Sequence, residues 1–91
     1  MVTLYIIVAY DVNVDRVNKV KAFFRRYLTW VQNSLLEGEI TESQLLEMTK
    51  GIKDIIDDNC DSVVFYILQD NSLLKREYIG IKKGDPDQVV I

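Results

Sequence analysis

The chain has no histidine, one cysteine and one proline among its 91 residues, and only four glycines. Without histidine, no Ser-His-Asp or Cys-His nucleophile can be assembled, no imidazole base is on hand, and no His-ligated zinc site can form. The single thiol, Cys60, closes no internal disulfide, which fits a reducing compartment, and it excludes four-cysteine metal sites. No glycine-rich phosphate loop is present, so nucleoside triphosphate chemistry is not expected. A metal would have to be held by carboxylate and carbonyl oxygens, which favours magnesium, manganese or calcium. No uninterrupted apolar run approaches the length of a membrane span, and no basic leader precedes one. The expectation is a cytoplasmic protein that does not engage a membrane.

What is present is ordinary for a folded domain: 48% hydrophobic and 27% charged residues, read as one domain over residues 1–91. The net charge of −3 hides a strong segregation. Residues 1–15 carry −2, residues 16–36 carry +5 without one acid, residues 37–61 carry −6, and residues 62–91 sum to zero. Arg16, Lys19, Lys21, Arg25 and Arg26 supply the positive block. A basic face on an acidic molecule is a nucleic-acid footprint that the bulk charge conceals.

Val2–Tyr10 is rich in β-branched and aromatic residues and apolar on both faces, the pattern of a central strand. Asn13 or Asp15 can cap a following helix that runs to about Tyr27, with Val17, Val20, Phe24 and Tyr27 at helical spacing and Phe23 beside them. Leu28–Ile40 reads as a hairpin turning near Gln32-Asn33, or as one strand with a bulge. Thr41 and Gln44 form a capping box for a second helix with Leu45, Met48, Ile52, Ile55 and Ile56 on its apolar face, interrupted by Gly51. Asp61–Gln69 and Glu77–Ile81 read as strands, and the chain ends in the apolar Val89-Val90-Ile91. The order predicts an α+β, ferredoxin-like βαββαβ fold with one or two extra C-terminal strands, an antiparallel sheet and both helices on one face. The other face is left uncovered, which predicts a two-fold homodimer with sheets face to face and residues 86–91 available to pair with the partner protomer.

Several patterns coincide along this order: Val8-Ala9-Tyr10-Asp11 at a strand end, Arg16 and Lys19 early in a basic helix, and Gln32-Asn33-Ser34 followed by Glu37-Gly38-Glu39. A Thr41-led helix, the strand Ser62–Leu68 and Ile79-Gly80 complete the set. Together they resemble the small CRISPR-associated adaptation protein and endoribonuclease family, the universal partner of the CRISPR integrase. The resemblance implies a ferredoxin-like dimer whose first-strand aspartates face each other across the two-fold axis and hold Mg2+ or Mn2+. It implies cleavage of single-stranded RNA or duplex DNA, and a role in CRISPR adaptation that bridges integrase dimers and seats the DNA of a new spacer. Asp11 and Tyr10 match the family's metal and site positions, and Arg16 and Lys19 its basic pair. Val17 stands where a further arginine is common, Trp30 where some members are basic, and Leu36 where phenylalanine is usual; these departures bear on nuclease strength.

On the residues alone, other readings stand beside these. Asp11 can simply end a strand and cap a helix; the resemblance is what makes it a metal ligand. The block Arg16, Lys19, Lys21, Arg25 and Arg26 can be a solvated flank or a sequence-blind phosphate-binding face. Asp57, Asp58 and Asp61 read as a solvated turn with Asn59 as a left-handed helix cap, or as a rim for a basic partner. Cys60 reads as a small buried filler, and Trp30, Tyr5, Tyr10 and Tyr66 as core or dimer-interface residues. Three functions follow: a metal-dependent endoribonuclease, a non-catalytic adaptor that binds duplex DNA, and a regulatory module with a small ligand at its dimer interface.

Overall fold

Side chains alternate along a strand, and this sorts the first β segment into two faces. In the computed structural model, which describes residues 2–77, 79–81, 83 and 84, β1 (Thr3–Asp11) sends Ile6, Val8 and Tyr10 into the core. Tyr5, Ile7, Ala9 and Asp11 alternate with them on the other face. The helix α1 (Val14–Phe24) starts at Asn13, whose side chain accepts a hydrogen bond from the Asp15 amide at 3.0 Å. Val20 and Phe24 are fully buried beneath it. Beyond Phe24, the Arg26 and Tyr27 amides donate to the carbonyls of Phe23 and Phe24, so the stretch predicted as helix to Tyr27 closes as a tighter turn.

The hairpin β2 (Thr29–Gln32) and β3 (Leu35–Thr41) turns one residue later than expected, with Asn33 left-handed at φ 41°. Its register also shifts between Trp30 and Gln32, so the hairpin and the bulge occur together. The helix α2 (Glu42–Lys53) opens on the predicted capping box: Thr41 Oγ1 accepts from the Gln44 amide at 3.1 Å, and Gln44 Oε1 from the Thr41 amide at 2.9 Å. Gly51 has a packing reason, because a Cβ there would lie 2.6 Å from Cζ of Phe23. The helix-weakening residue admits the α1 ring.

With β4 (Ser62–Leu68) the strand order is β2-β3-β1-β4, every neighbouring pair antiparallel and β1 central. Ile6, Val8 and Tyr10 of β1, Leu36 and Ile40 of β3, Val20 and Phe24 of α1, and Met48 and Ile52 of α2 form one buried cluster. This is the expected ferredoxin-like α+β arrangement, in which β4 is an edge strand with Val64 and Tyr66 exposed. Among the described residues, Glu77 and Ile79–Ile81 form no strand, and Gly80 has φ 93°. Val89–Ile91 and the pairing expected of 86–91 lie outside the described residues.

The face of the sheet away from the helices is not uniformly bare. On its β1–β4 half, Ile7 stands opposite Tyr66, Ala9 opposite Val64 and Asp11 opposite Ser62. On its β3 side the Arg76 guanidinium forms an ion pair with the buried Glu37 and donates to the Tyr5 hydroxyl at 3.2 Å, while that hydroxyl donates to Glu37 at 2.8 Å. Ile79 and Ile81 border Val31 and Leu35 beside this pair. Apolar surface is left open on β4 at Val64 and Tyr66, on the face that carries Asp11, and Ile79 and Ile81 are themselves exposed on the β3 side.

Candidate functional site

Strand alternation decides what surrounds Asp11. Its carboxylate leaves the end of β1 on the helix-free face, is exposed, and makes no hydrogen bond or ion pair among the described residues. Tyr10, next in sequence, must face the other way. It is buried in the core with its ring stacked on Phe24 at 6.0 Å, and its amide donates to the Ser34 carbonyl at 3.1 Å. Burial pushes its phenol above its ordinary pKa, against the pull of Ser34. The structure thus separates the two residues that sequence placed side by side.

Arg16 is engaged in a bidentate pair with Asp61: Nε lies 2.6 Å from Oδ2 and an Nη 3.0 Å from Oδ1. Asp61 is not part of a solvated turn, as its side chain has no exposed surface. It also accepts from the amides of Asn13 and Asp57, each at 2.9 Å. The Arg16 guanidinium holds its carboxyl well below the usual carboxylate range; the two amides reinforce this and desolvation opposes it. Asn59 is not the expected left-handed cap, since Asn33 is the one non-glycine residue of positive φ among the described residues. The helix α2 ends instead on Asp54 in the right-handed region.

An acid pKa depressed by folding adds stability that is complete above the unfolded value and lost as pH falls through the folded one. Asp61 should therefore stabilise the fold fully at neutral pH and progressively less below about pH 4. Replacing it in Asp61→Asn should lower the urea midpoint at pH 7 and flatten its fall between pH 5 and pH 3. An equally steep fall in the variant would assign the acid sensitivity to other carboxylates.

Cys60 is exposed, contrary to the filler reading. Its Sγ accepts a hydrogen bond from Arg16 at 3.3 Å. Desolvation first, then the Asp57 and Asp61 carboxylates, raise the thiol pKa, so it is a poor nucleophile.

Most of the remaining cations lie beside aromatic rings. Lys21 places its ammonium 4.6 Å from the Trp30 ring centroid, and Arg26 lies 5.7 Å from the rings of Phe23 and Tyr27. Arg25, Thr29, Trp30 and Lys83 line a hollow of about 580 Å³; Lys83 is a cation that sequence reading left out because it lies 58 positions beyond Arg25. Lys19 is exposed on the helix. Among the described residues no three Asp, Glu or Cys side chains come together to hold a cation. One chain offers a divalent ion the lone carboxylate of Asp11, well short of an octahedral oxygen shell, so a single copy does not make a metal site. No helix among the described residues is long and apolar enough to cross a membrane.

Comparison with known proteins bears on this geometry. The family model for CRISPR associated protein Cas2 matches residues 4–76. CRISPR-associated endoribonuclease Cas2 2 of Archaeoglobus fulgidus is 52% identical over 91 residues, covering 100% of this chain and 99% of its own length. CRISPR-associated endoribonuclease Cas2 of Pyrococcus furiosus is 48% identical over 87 residues, 96% of this chain and all of its own. A crystal structure of a Cas2 protein superposes with a TM-score of 0.84 at 39% identity, covering 98% of this chain and 99% of that one.

Proposed function

The chain belongs to the CRISPR associated protein Cas2 family, and from that premise we propose that it is a metal-dependent endoribonuclease acting as a two-fold homodimer in CRISPR adaptation. The observation that carries the reading is Asp11: an exposed carboxylate with no partner among the described residues, beside the apolar β1–β4 half of an open sheet face. The names of the relatives, endoribonucleases, support the activity. Covering Ile7, Val64 and Tyr66 with the same surface of a second copy would remove an apolar patch from water. It would also bring two Asp11 carboxylates together, supplying the second acid that one chain lacks. The paired Asp11 carboxylates would hold Mg2+ or Mn2+, which would supply Lewis-acid polarisation of a phosphoryl oxygen. The chain's own part is to present Asp11 at the seam and to attract phosphates through Lys19, Lys21, Arg25 and Arg26. Arg16 serves by holding the turn behind Asp11, and Tyr10 by anchoring the strand end in the core.

A second reading, an adaptor that joins the CRISPR integrase and seats duplex DNA, is favoured by one feature. Most of the cations lie beside aromatic rings, and none among the described residues pairs with Asp11. Cleavage of labelled single-stranded RNA and duplex DNA, with and without magnesium, by the native chain and Asp11→Ala separates the readings. RNA cut only with magnesium and only by the native chain supports the nuclease. Spacer acquisition intact in Asp11→Ala but lost on Arg25→Glu with Arg26→Glu supports the adaptor.

Salt dependence measures the phosphate contacts themselves. With Arg16 engaged by Asp61, the four cations Lys19, Lys21, Arg25 and Arg26 should give log affinity for single-stranded RNA a slope of about −2.8 against log salt. Raising salt from about 50 to about 200 mM should then weaken binding about 50-fold in a filter-binding assay. A slope near about −3.5 would put a fifth cation on the phosphates, and a flat response would rule out phosphate binding.

A further inference from the structure

The oxygens of Asp61 collect four N–H donors from two separated stretches of chain, Asn13–Arg16 and the loop at Asp57. Oδ1 takes the Asn13 amide at 2.9 Å and an Arg16 Nη at 3.0 Å; Oδ2 takes the Asp57 amide at 2.9 Å and Arg16 Nε at 2.6 Å. Asp57 and Asp58 of the same acidic run are exposed, whereas the Asp61 side chain is closed off from solvent. A fork-shaped guanidinium pair reinforced by two amides fixes direction as well as distance. The joint therefore clamps the turn after β1, the first turn of α1 and the loop entering β4 to one another.

Asp11 lies between the clamped points. It is two residues before Asn13, and its partner across the sheet is Ser62, the residue after Asp61. From this juxtaposition we infer that Asp61, acting through Arg16 and the Asn13 amide, is a positioning residue that fixes how Asp11 presents its carboxylate. The inference rests on the reading of Asp11 as the functional acid. A joint that merely held the fold would cost stability and leave the folded protein's response to magnesium unchanged.

The full-length Asp61→Asn chain tests this, since it keeps an amide acceptor and loses the charge that holds Arg16. In the folded variant without magnesium, the Asn13 amide hydrogen should exchange at least about ten-fold faster than in the native chain. The magnesium concentration giving half-maximal RNA cleavage should rise at least about five-fold, which a reduced folded fraction cannot produce. Native exchange at Asn13, or an unchanged magnesium requirement, overturns the inference. If Asp61→Asn does not fold, Arg16→Lys, which keeps the charge and loses the fork, is decided by the same two readouts. Failure of the underlying reading looks different: Asp11→Ala would then cleave like the native chain.

Discussion

Replacing Asp11 with alanine is expected to lower magnesium-dependent RNA cleavage at least about 100-fold while changing stability by no more than about 0.5 kcal/mol. The two magnitudes come from different places. Groups that only orient a metal ligand cost about 10- to 100-fold when lost, so loss of a ligand itself should reach the top of that range. Stability should hold because Asp11 is exposed and bonds nothing among the described residues. A third consequence has the opposite sign. Two carboxylates at a seam repel when no cation lies between them. Without magnesium, the Asp11→Ala dimer should therefore be tighter than the native one in sedimentation equilibrium. A variant that loses stability along with cleavage would show that the carboxylate supports the strand end.

Replacing Arg76 with methionine should cost about 3–5 kcal/mol in urea unfolding. Glu37 is a buried acid, and Arg76 is its ion-pair partner. Methionine keeps the apolar stem and strands the Glu37 charge beside the Tyr5 hydroxyl, which still donates to it at 2.8 Å. Adding Glu37→Gln should recover most of the loss, because a neutral amide removes the uncompensated charge. If Arg76→Met is nearly neutral, the segment around Arg76 is not what compensates Glu37.

Features with local causes were legible in the sequence. The Thr41–Gln44 capping box, the apolar stripe Val17, Val20 and Phe24, and the doubly apolar β1 each carry their reason within a few residues. The hairpin was legible in kind but displaced by one residue, because the bulge at Trp30–Gln32 takes up a residue before the turn. Among the described residues of Glu77–Ile81 no strand forms; Arg76 is tied to Glu37, 39 positions away, a partner with no local signature.

The site divides the same way. That Asp11 would end β1 followed from the run before it. Tyr10 shows the cost of reading two neighbours as one constellation, because alternation already sends adjacent strand residues to opposite faces. Asp61 was read as one solvated acid among several because its donors Asn13 and Arg16 lie 48 and 45 positions away. Only the antiparallel pairing of β1 with β4 brings them to it.

The shared Asp11 site is tested most directly by mixing native and Asp11→Ala chains in equal amounts, letting subunits re-associate at random, and measuring magnesium-dependent RNA cleavage per total protein. A site that needs one carboxylate from each copy leaves only the all-native dimers active, about a quarter of the unmixed native rate. A rate of about one half would mean that each chain cleaves by itself, and would contradict the paired site.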